Sequence, residues 1–294
     1  MTQRNMSNDR HVGLASLCVL GAGCLWGLYW IPVRALAAAG LTGATGSLVV
    51  VAIALAILIV ALLLRREPIG HADGLALAAS ATGGAAFMLY SIGLVEGRVS
   101  SVILLFYLTP VWTTMITAFV LRWPVPRLRY AVIALGLVGL VLVLGADGGV
   151  PLPHAPGEWL GLAAGVLWSI SSVGMRVRGE LAPWPGSAVF AAGALTAGLL
   201  VWALLPVGST GPIHADGATG AWALAAATVW WIGSMLALVW ATTRLEPARV
   251  GILLMSEVLV GVVSSALFAG ETLTGMQIAG AALLLAVGVL DALG

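Results

Sequence analysis

GCLWGLYWIPVR, residues 23–34, is the stretch from which the rest of the chain can be read. Gly23, Trp26, Gly27, Trp30 and Arg34 fall at i, i+3, i+4, i+7 and i+11, which is one face of an α-helix. The same face returns 142 residues later as Gly165, Trp168, Ser169, Ser172 and Arg176. Glycine meets glycine, tryptophan meets tryptophan, arginine meets arginine, and Gly27 and Trp30 are answered by serines. The chain therefore reads as two related halves.

Composition says what those halves are made of. Residues of the AVILMFWYC set make up 61% of the 294, and DEKR only 9%, against roughly 25% charged residues in a soluble protein. So few charges cannot cover a water-facing surface, and the chain reads as an all-α integral membrane protein. Its net charge of +1 is spread singly over loops and points to no nucleic-acid partner. The two cysteines, Cys18 and Cys24, share one apolar segment on different sides of the helix, so they make no disulfide framework.

A membrane helix needs about 20 apolar residues. Stretches of that kind fall at about 12–34, 42–64, 73–95, 99–121, 127–146, 158–178, 187–206, 220–242, 248–269 and 273–292, giving ten expected spans. Pro- and Gly-rich pieces separate them, such as Arg122-Trp123-Pro124-Val125-Pro126 and Ala182-Pro183-Trp184-Pro185-Gly186. The first span has arginines ahead of it like a signal peptide. Its apolar run is too long for a cleaved leader and holds Trp26, Tyr29 and Trp30, so it is expected to stay.

The arginines set the orientation. With the N-terminus inside, 11 of the 13 lie on the inner side, and only Arg34 and Arg98 lie outside. Ten spans then put the C-terminus inside as well, so both termini are expected to be cytoplasmic. Each half holds five spans, an odd number, so the second half enters the bilayer from the opposite side. The expected architecture is two inverted five-helix repeats, a common basis for alternating access in secondary transporters. The boundaries are a cytoplasmic arm at 1–11, a first repeat at 12–146, a connecting loop at 147–157 and a second repeat at 158–294. Arg34 and Arg176 become topology markers at opposite faces.

The last helix is entered through Gly270-Glu271-Thr272-Leu273, followed by Gln277, Gly280 and Gly288. Fourteen residues before Glu271 stands Glu257, and Trp26-Gly27 lies in the first span. In these pieces the chain resembles the drug/metabolite transporter superfamily, in its ten-span EamA-type members, over nearly its whole length. It departs from that pattern where Val258 follows Glu257 in place of Pro, where Thr109-Pro110-Val111 lacks the Glu, and at Trp123, where a Glu is common. Within the family, Tyr107-Leu108-Thr109-Pro110 looks most like the bacterial aromatic-amino-acid exporter group (YddG-type). That resemblance implies export of small metabolites, amino acids including aromatic ones, across a bacterial inner membrane.

Glu257 is the only ionisable residue deep inside an expected span. A carboxylate at mid-bilayer costs about 2.5–3.5 kcal/mol on insertion scales, so it should face a cavity or a partner. It reads either as a site for a substrate amine or proton, or as a hydrogen-bonded structural acid. Trp26 and Trp168 lie mid-span, too deep for an interfacial belt, and could form opposite walls of one cavity or simply pack. Trp30 continues the Trp26 face. In the third span Gly83, Ala86 and Tyr90 share a face that leaves room beside one hydroxyl. In the fourth, Pro110 removes an N–H and frees a carbonyl near Phe106, which must be satisfied internally or line a cavity; Tyr107 and Thr109 would be the hydroxyls there. Ser172 shares the Trp168 face. The substrate-binding candidates are therefore Trp26, Trp30, Ala86, Tyr90, Tyr107, Thr109, Pro110, Trp168, Ser172 and Glu257.

Histidines 11, 71, 154 and 214 are scattered through loops and termini, and neither metal-ligand spacing nor a phosphate loop occurs. No cofactor, no metal and no enzymatic activity are expected. The expected partners are a small-molecule substrate and the lipid bilayer, with the chain a monomer or weak dimer. The function expected is a secondary transporter; a multidrug exporter of lipophilic compounds and an uncoupled amino-acid facilitator are the alternatives.

Overall fold

The computed structural model describes residues 2–66, 73–124, 127–145, 152–178, 181–205, 216–242 and 244–293. Residues 147–151 of the expected connecting loop, His71 and His214 lie outside the described residues, as do the side chains of Arg4, Arg10, His11, Arg127, Arg129 and Arg178.

Apolar runs without a period of two produce helices throughout, and no strand occurs among the described residues. In order they are α1 (Thr2–Gly27), α2 (Trp30–Ala38), α3 (Thr45–Arg65), α4 (Gly74–Glu96), α5 (Val99–Phe106) and α6 (Thr109–Met115). A π-helical turn (Ile116–Val120) follows, then α7 (Arg127–Leu144), α8 (Pro156–Arg178), α9 (Pro183–Leu204) and α10 (Gly217–Ala225). A second π-helical stretch (Ala226–Gly233) leads to α11 (Ser234–Thr242), α12 (Pro247–Leu254), α13 (Ser256–Phe268) and α14 (Gly275–Leu293). The arm expected at 1–11 thus continues into the first span as helix from Thr2.

Eight helical segments among the described residues are long and apolar enough to cross a bilayer: Val12–Ala38, Thr45–Arg65, Gly74–Glu96, Val99–Val120, Pro156–Val177, Pro183–Leu204, Gly217–Thr242 and Arg249–Phe268. This is a multi-pass membrane protein. Two further apolar helices, Tyr130–Leu144 and Gly275–Leu290, are shorter. They occupy the places of the expected fifth and tenth spans and pack on each other through glycines. A Cβ added at Gly139 would stand 3.3 Å from the Gly280 carbonyl, and one at Gly280 would stand 2.9 Å from the Gly139 carbonyl.

Three of the long segments are broken in the middle: between α1 and α2 at Leu28–Tyr29, between α5 and α6 at Tyr107–Leu108, and between α12 and α13 at Met255. The residues of the repeated Gly-Trp face cross two of these breaks. Gly23 lies where a Cβ would come within 3.3 Å of the Leu254 carbonyl and the Glu257 N–H, and Gly165 where one would come within 2.9 Å of the Phe106 carbonyl. Only the missing side chain lets the helices approach so closely. α4 is deeply buried against α8 and α9 for the same reason: a Cβ on Gly157 of α8 would stand 2.6 Å from the Gly93 carbonyl of α4.

Gly27 is the tightest test of the α1–α13 crossing. A Cβ there would fall 2.6 Å from the Glu257 carbonyl and 2.8 Å from the Gly261 N–H, both backbone groups that cannot swing aside. Gly27→Ala is expected to lower stability by about 1–3 kcal/mol, the usual cost of overpacking. Gly74→Ala, with nothing within 4 Å of the added methyl, should not. Thermal unfolding of both variants in detergent checks this.

Candidate functional site

Five aromatic rings from four helices form a row through the middle of the bundle. Trp26 of α1 meets Phe87 of α4 at 6.0 Å between ring centroids, and Phe87 meets Tyr90 at 6.0 Å. Tyr90 lies 4.7 Å from Phe106, the last residue of α5, and Phe106 lies 6.0 Å from Trp168 of α8. All four contacts are tilted, the geometry that ring quadrupoles favour over a face-to-face sandwich. Phe87 and Tyr90 are three residues apart, so one face of α4 supplies both. Phe190 of α9 closes the row from the side, 6.3 Å from Phe87 and 6.2 Å from Trp168. Trp231 meets Phe87 edge-on at 4.9 Å.

Trp26 and Trp168 are therefore the two ends of a continuous aromatic row, with Phe87, Tyr90 and Phe106 standing between them. Trp26 is buried and its indole N–H donates to Ser234 Oγ at 2.9 Å. Ser234 Oγ in turn donates to the Trp230 carbonyl. Trp168 is half-buried.

The carboxylate of Glu257 joins this row. It is the second residue of α13 and is only 3% exposed. The Tyr90 hydroxyl donates to its Oε1 at 3.0 Å. No ion pair to Glu257 occurs among the described residues, so an aromatic hydroxyl is the polar group the fold supplies to it. An acid so placed in an apolar bundle is held only where such a partner exists. The site thus combines one carboxylate with a wall of rings.

The hydroxyls of the fourth span are used by the backbone. Pro110 frees the Phe106 carbonyl, and Thr109 Oγ1 donates to it at 2.6 Å. The Tyr107 hydroxyl reaches across to α12 and donates to the Leu254 carbonyl at 2.7 Å, at the break where Met255 separates α12 from α13. Ser172 Oγ turns back to the Trp168 carbonyl at 2.8 Å. Ser169, its neighbour on the repeated face, donates to the Thr109 carbonyl at 3.1 Å and ties α8 to the break.

Of the ten candidate residues, Tyr90 and Glu257 meet directly, and Trp26 and Trp168 reach them only through Phe87 and Phe106. Tyr107 adjoins them through the Phe106 ring at 6.3 Å. Ala86 is fully buried beside Phe87. Pro110 and Thr109 shape the break, and Ser172 faces the α8 backbone. Trp30 stands apart: its indole N–H donates to Ser264 Oγ at 3.0 Å, and the Arg34 guanidinium lies 5.7 Å from its ring. Sequence reading missed Phe87, Phe106, Phe190 and Trp231. Phe87 had a signal, three residues before Tyr90 and four after Gly83. It also missed the Tyr29 hydroxyl, which accepts from Trp231 Nε1 at 2.8 Å and Ser91 Oγ at 3.2 Å. No cluster of three or more His, Cys, Asp or Glu able to hold a metal lies among the described residues.

The EamA-like transporter family matches residues 13–145 and again residues 155–290. The chain belongs to that family. It is thus a membrane transporter of small molecules, a family of carriers rather than of enzymes. One solved crystal structure is similar at a TM-score of 0.56 and 19% identity, covering 92% of this chain and 95% of that one. At that identity the likeness concerns the fold. No curated protein matches.

The fourth-span break of this EamA-like transporter gives a clean pair of variants. Thr109→Val keeps the shape but leaves the Phe106 carbonyl without its hydroxyl, which should cost about 1–3 kcal/mol of stability. Pro110→Ala restores an N–H to that carbonyl, so Thr109→Val should cost much less in a Pro110→Ala background. A double-mutant cycle on unfolding in detergent reads the coupling.

Proposed function

We propose that the chain is a secondary transporter of ten spans, built as two inverted five-helix repeats with both termini in the cytoplasm. It exports amino acids, aromatic ones included, across a bacterial inner membrane by alternating access. Its two short apolar helices serve as the fifth and tenth spans. Two matches to one family, one in each half of the chain, support the repeat. The arginine bias supports the orientation.

The observation that carries the substrate reading is the buried Glu257 carboxylate beside Tyr90, in the middle of an aromatic row. An amino acid's ammonium would take Glu257, exchanging for the Tyr90 hydroxyl. Its side chain would lie against Trp168 or Phe190, the half-buried rings at that side of the row. The same rings favour lipophilic cations, so a multidrug exporter is the second reading, and an uncoupled facilitator differs from the first only in lacking an ion gradient.

Counterflow of labelled amino acids into proteoliposomes tests this, with and without a pH gradient. Phenylalanine and tryptophan should exchange faster than glycine or glutamate. Glu257→Gln should weaken uptake about tenfold or more, since a hydrogen bond to a charged group is worth about 1.5–3 kcal/mol. Exchange that ignores the gradient selects the facilitator. No exchange of any amino acid, with efflux of lipophilic cations, selects the multidrug reading.

A further inference from the structure

Away from the aromatic row, the Gly270-Glu271 turn reaches over one end of the fourth span. Glu271 Oε1 accepts from the Val99 N–H at 2.6 Å, and Oε2 accepts from the Ser100 N–H at 3.0 Å and from Ser100 Oγ at 2.7 Å. Val99 and Ser100 are the first two residues of α5, whose own N-cap residue, Arg98, offers no side-chain cap. A carboxylate from between α13 and α14 thus caps a helix more than 170 residues earlier in the chain. The Arg34 guanidinium stands 3.6 Å from Glu271 Oε1. It is itself held by the Leu94 carbonyl at 2.9 Å and the Gly97 carbonyl at 2.8 Å. Arg98 completes the turn by donating to the Thr272 carbonyl at 3.0 Å. The Glu271 carboxylate therefore joins spans one and four, and Arg34 carries the contact on to span three.

Among the described residues, no such group stands at the matching place of the other half. Glu257 of α13 answers Thr109 of α6, and fourteen residues after them stand Glu271 and Trp123. The Trp123 side chain, 42% exposed, carries no acceptor able to cap α12.

We infer that Glu271 is a positioning residue for transport: it holds the Arg34 end of the bundle shut by capping α5, and this end must break the cap to open. No matching cap occurs among the described residues of the opposite end, so the step belongs to the Arg34 end. This rests on the Glu271 contacts and not on the identity of the substrate.

The test reads accessibility and transport separately. Ser101, buried in the first turn of α5, is changed to cysteine in a background carrying Cys18→Ala and Cys24→Ala. Its reaction with a water-soluble maleimide is timed in detergent micelles. Glu271→Gln is expected to speed labelling about tenfold, and Glu271→Asp to bring it back towards the parent rate. Ser100→Ala, which removes only the hydroxyl bond, should give a smaller rise in the same direction. If neither Glu271→Gln nor Ser100→Ala changes the labelling rate, the inference is overturned, whether or not transport falls. Faster labelling that Glu271→Asp does not slow also overturns it, because general loosening of the fold would do the same.

Discussion

A helix that breaks inside a bilayer leaves backbone groups with no water to turn to, and each must find its partner within the protein. The middle of this bundle is organised by that demand. At the break after Phe106 the donor is local, a threonine hydroxyl one residue before the proline that caused the vacancy. At the break after Leu254 there is no proline, and the donor is the phenol of Tyr107 from another span. The first break is thereby tied to the second. The glycines of the repeated face then let α1 and α8 lie across these breaks at backbone distance.

The aromatic row follows from the same arrangement. Phe106 is the residue at which α5 stops, so its ring projects from the break into the centre of the bundle. Tyr90 stacks on it and spends its hydroxyl on Glu257, while Trp168 meets it from the far side. Broken helices, buried acid and rings form one construction, and any rocking of α13 against α4 must pass through the bond between Tyr90 and Glu257.

Much of this could be read in the sequence where the cause is local. Pro110 announces a freed carbonyl near Phe106, because a missing N–H has a fixed consequence four residues back. The mid-span depth of Trp26, Trp168 and Glu257 follows from counting residues along apolar runs. Partners at long range could not be read. Nothing near Leu254 predicts its break, since the group that occupies its carbonyl is about 150 residues away. The picture of Trp26 and Trp168 facing each other assumed that nothing lay between them, and the phenylalanines that fill the space carry no polar mark. Arg34 read as a marker of topology because its main acceptors are backbone carbonyls, which look alike in every sequence. The fifth and tenth apolar stretches came out as shorter helices than the windows that found them.

The π-helical stretch at Ala226–Gly233 gives the eighth span a property that its length conceals. A π-turn closes its hydrogen bond one residue later than an α-turn, so the span behaves as an α-helix into which a residue has been inserted. The phase is shifted across it, so a face of α10 does not run straight on into α11. This lets two adjacent tryptophans, Trp230 and Trp231, both serve the first span, one donating to the Leu25 carbonyl and the other to the Tyr29 hydroxyl. The stretch works as a rotary joint in the chain's register, adjusting which side of a helix looks inward without bending the helix away from its neighbours.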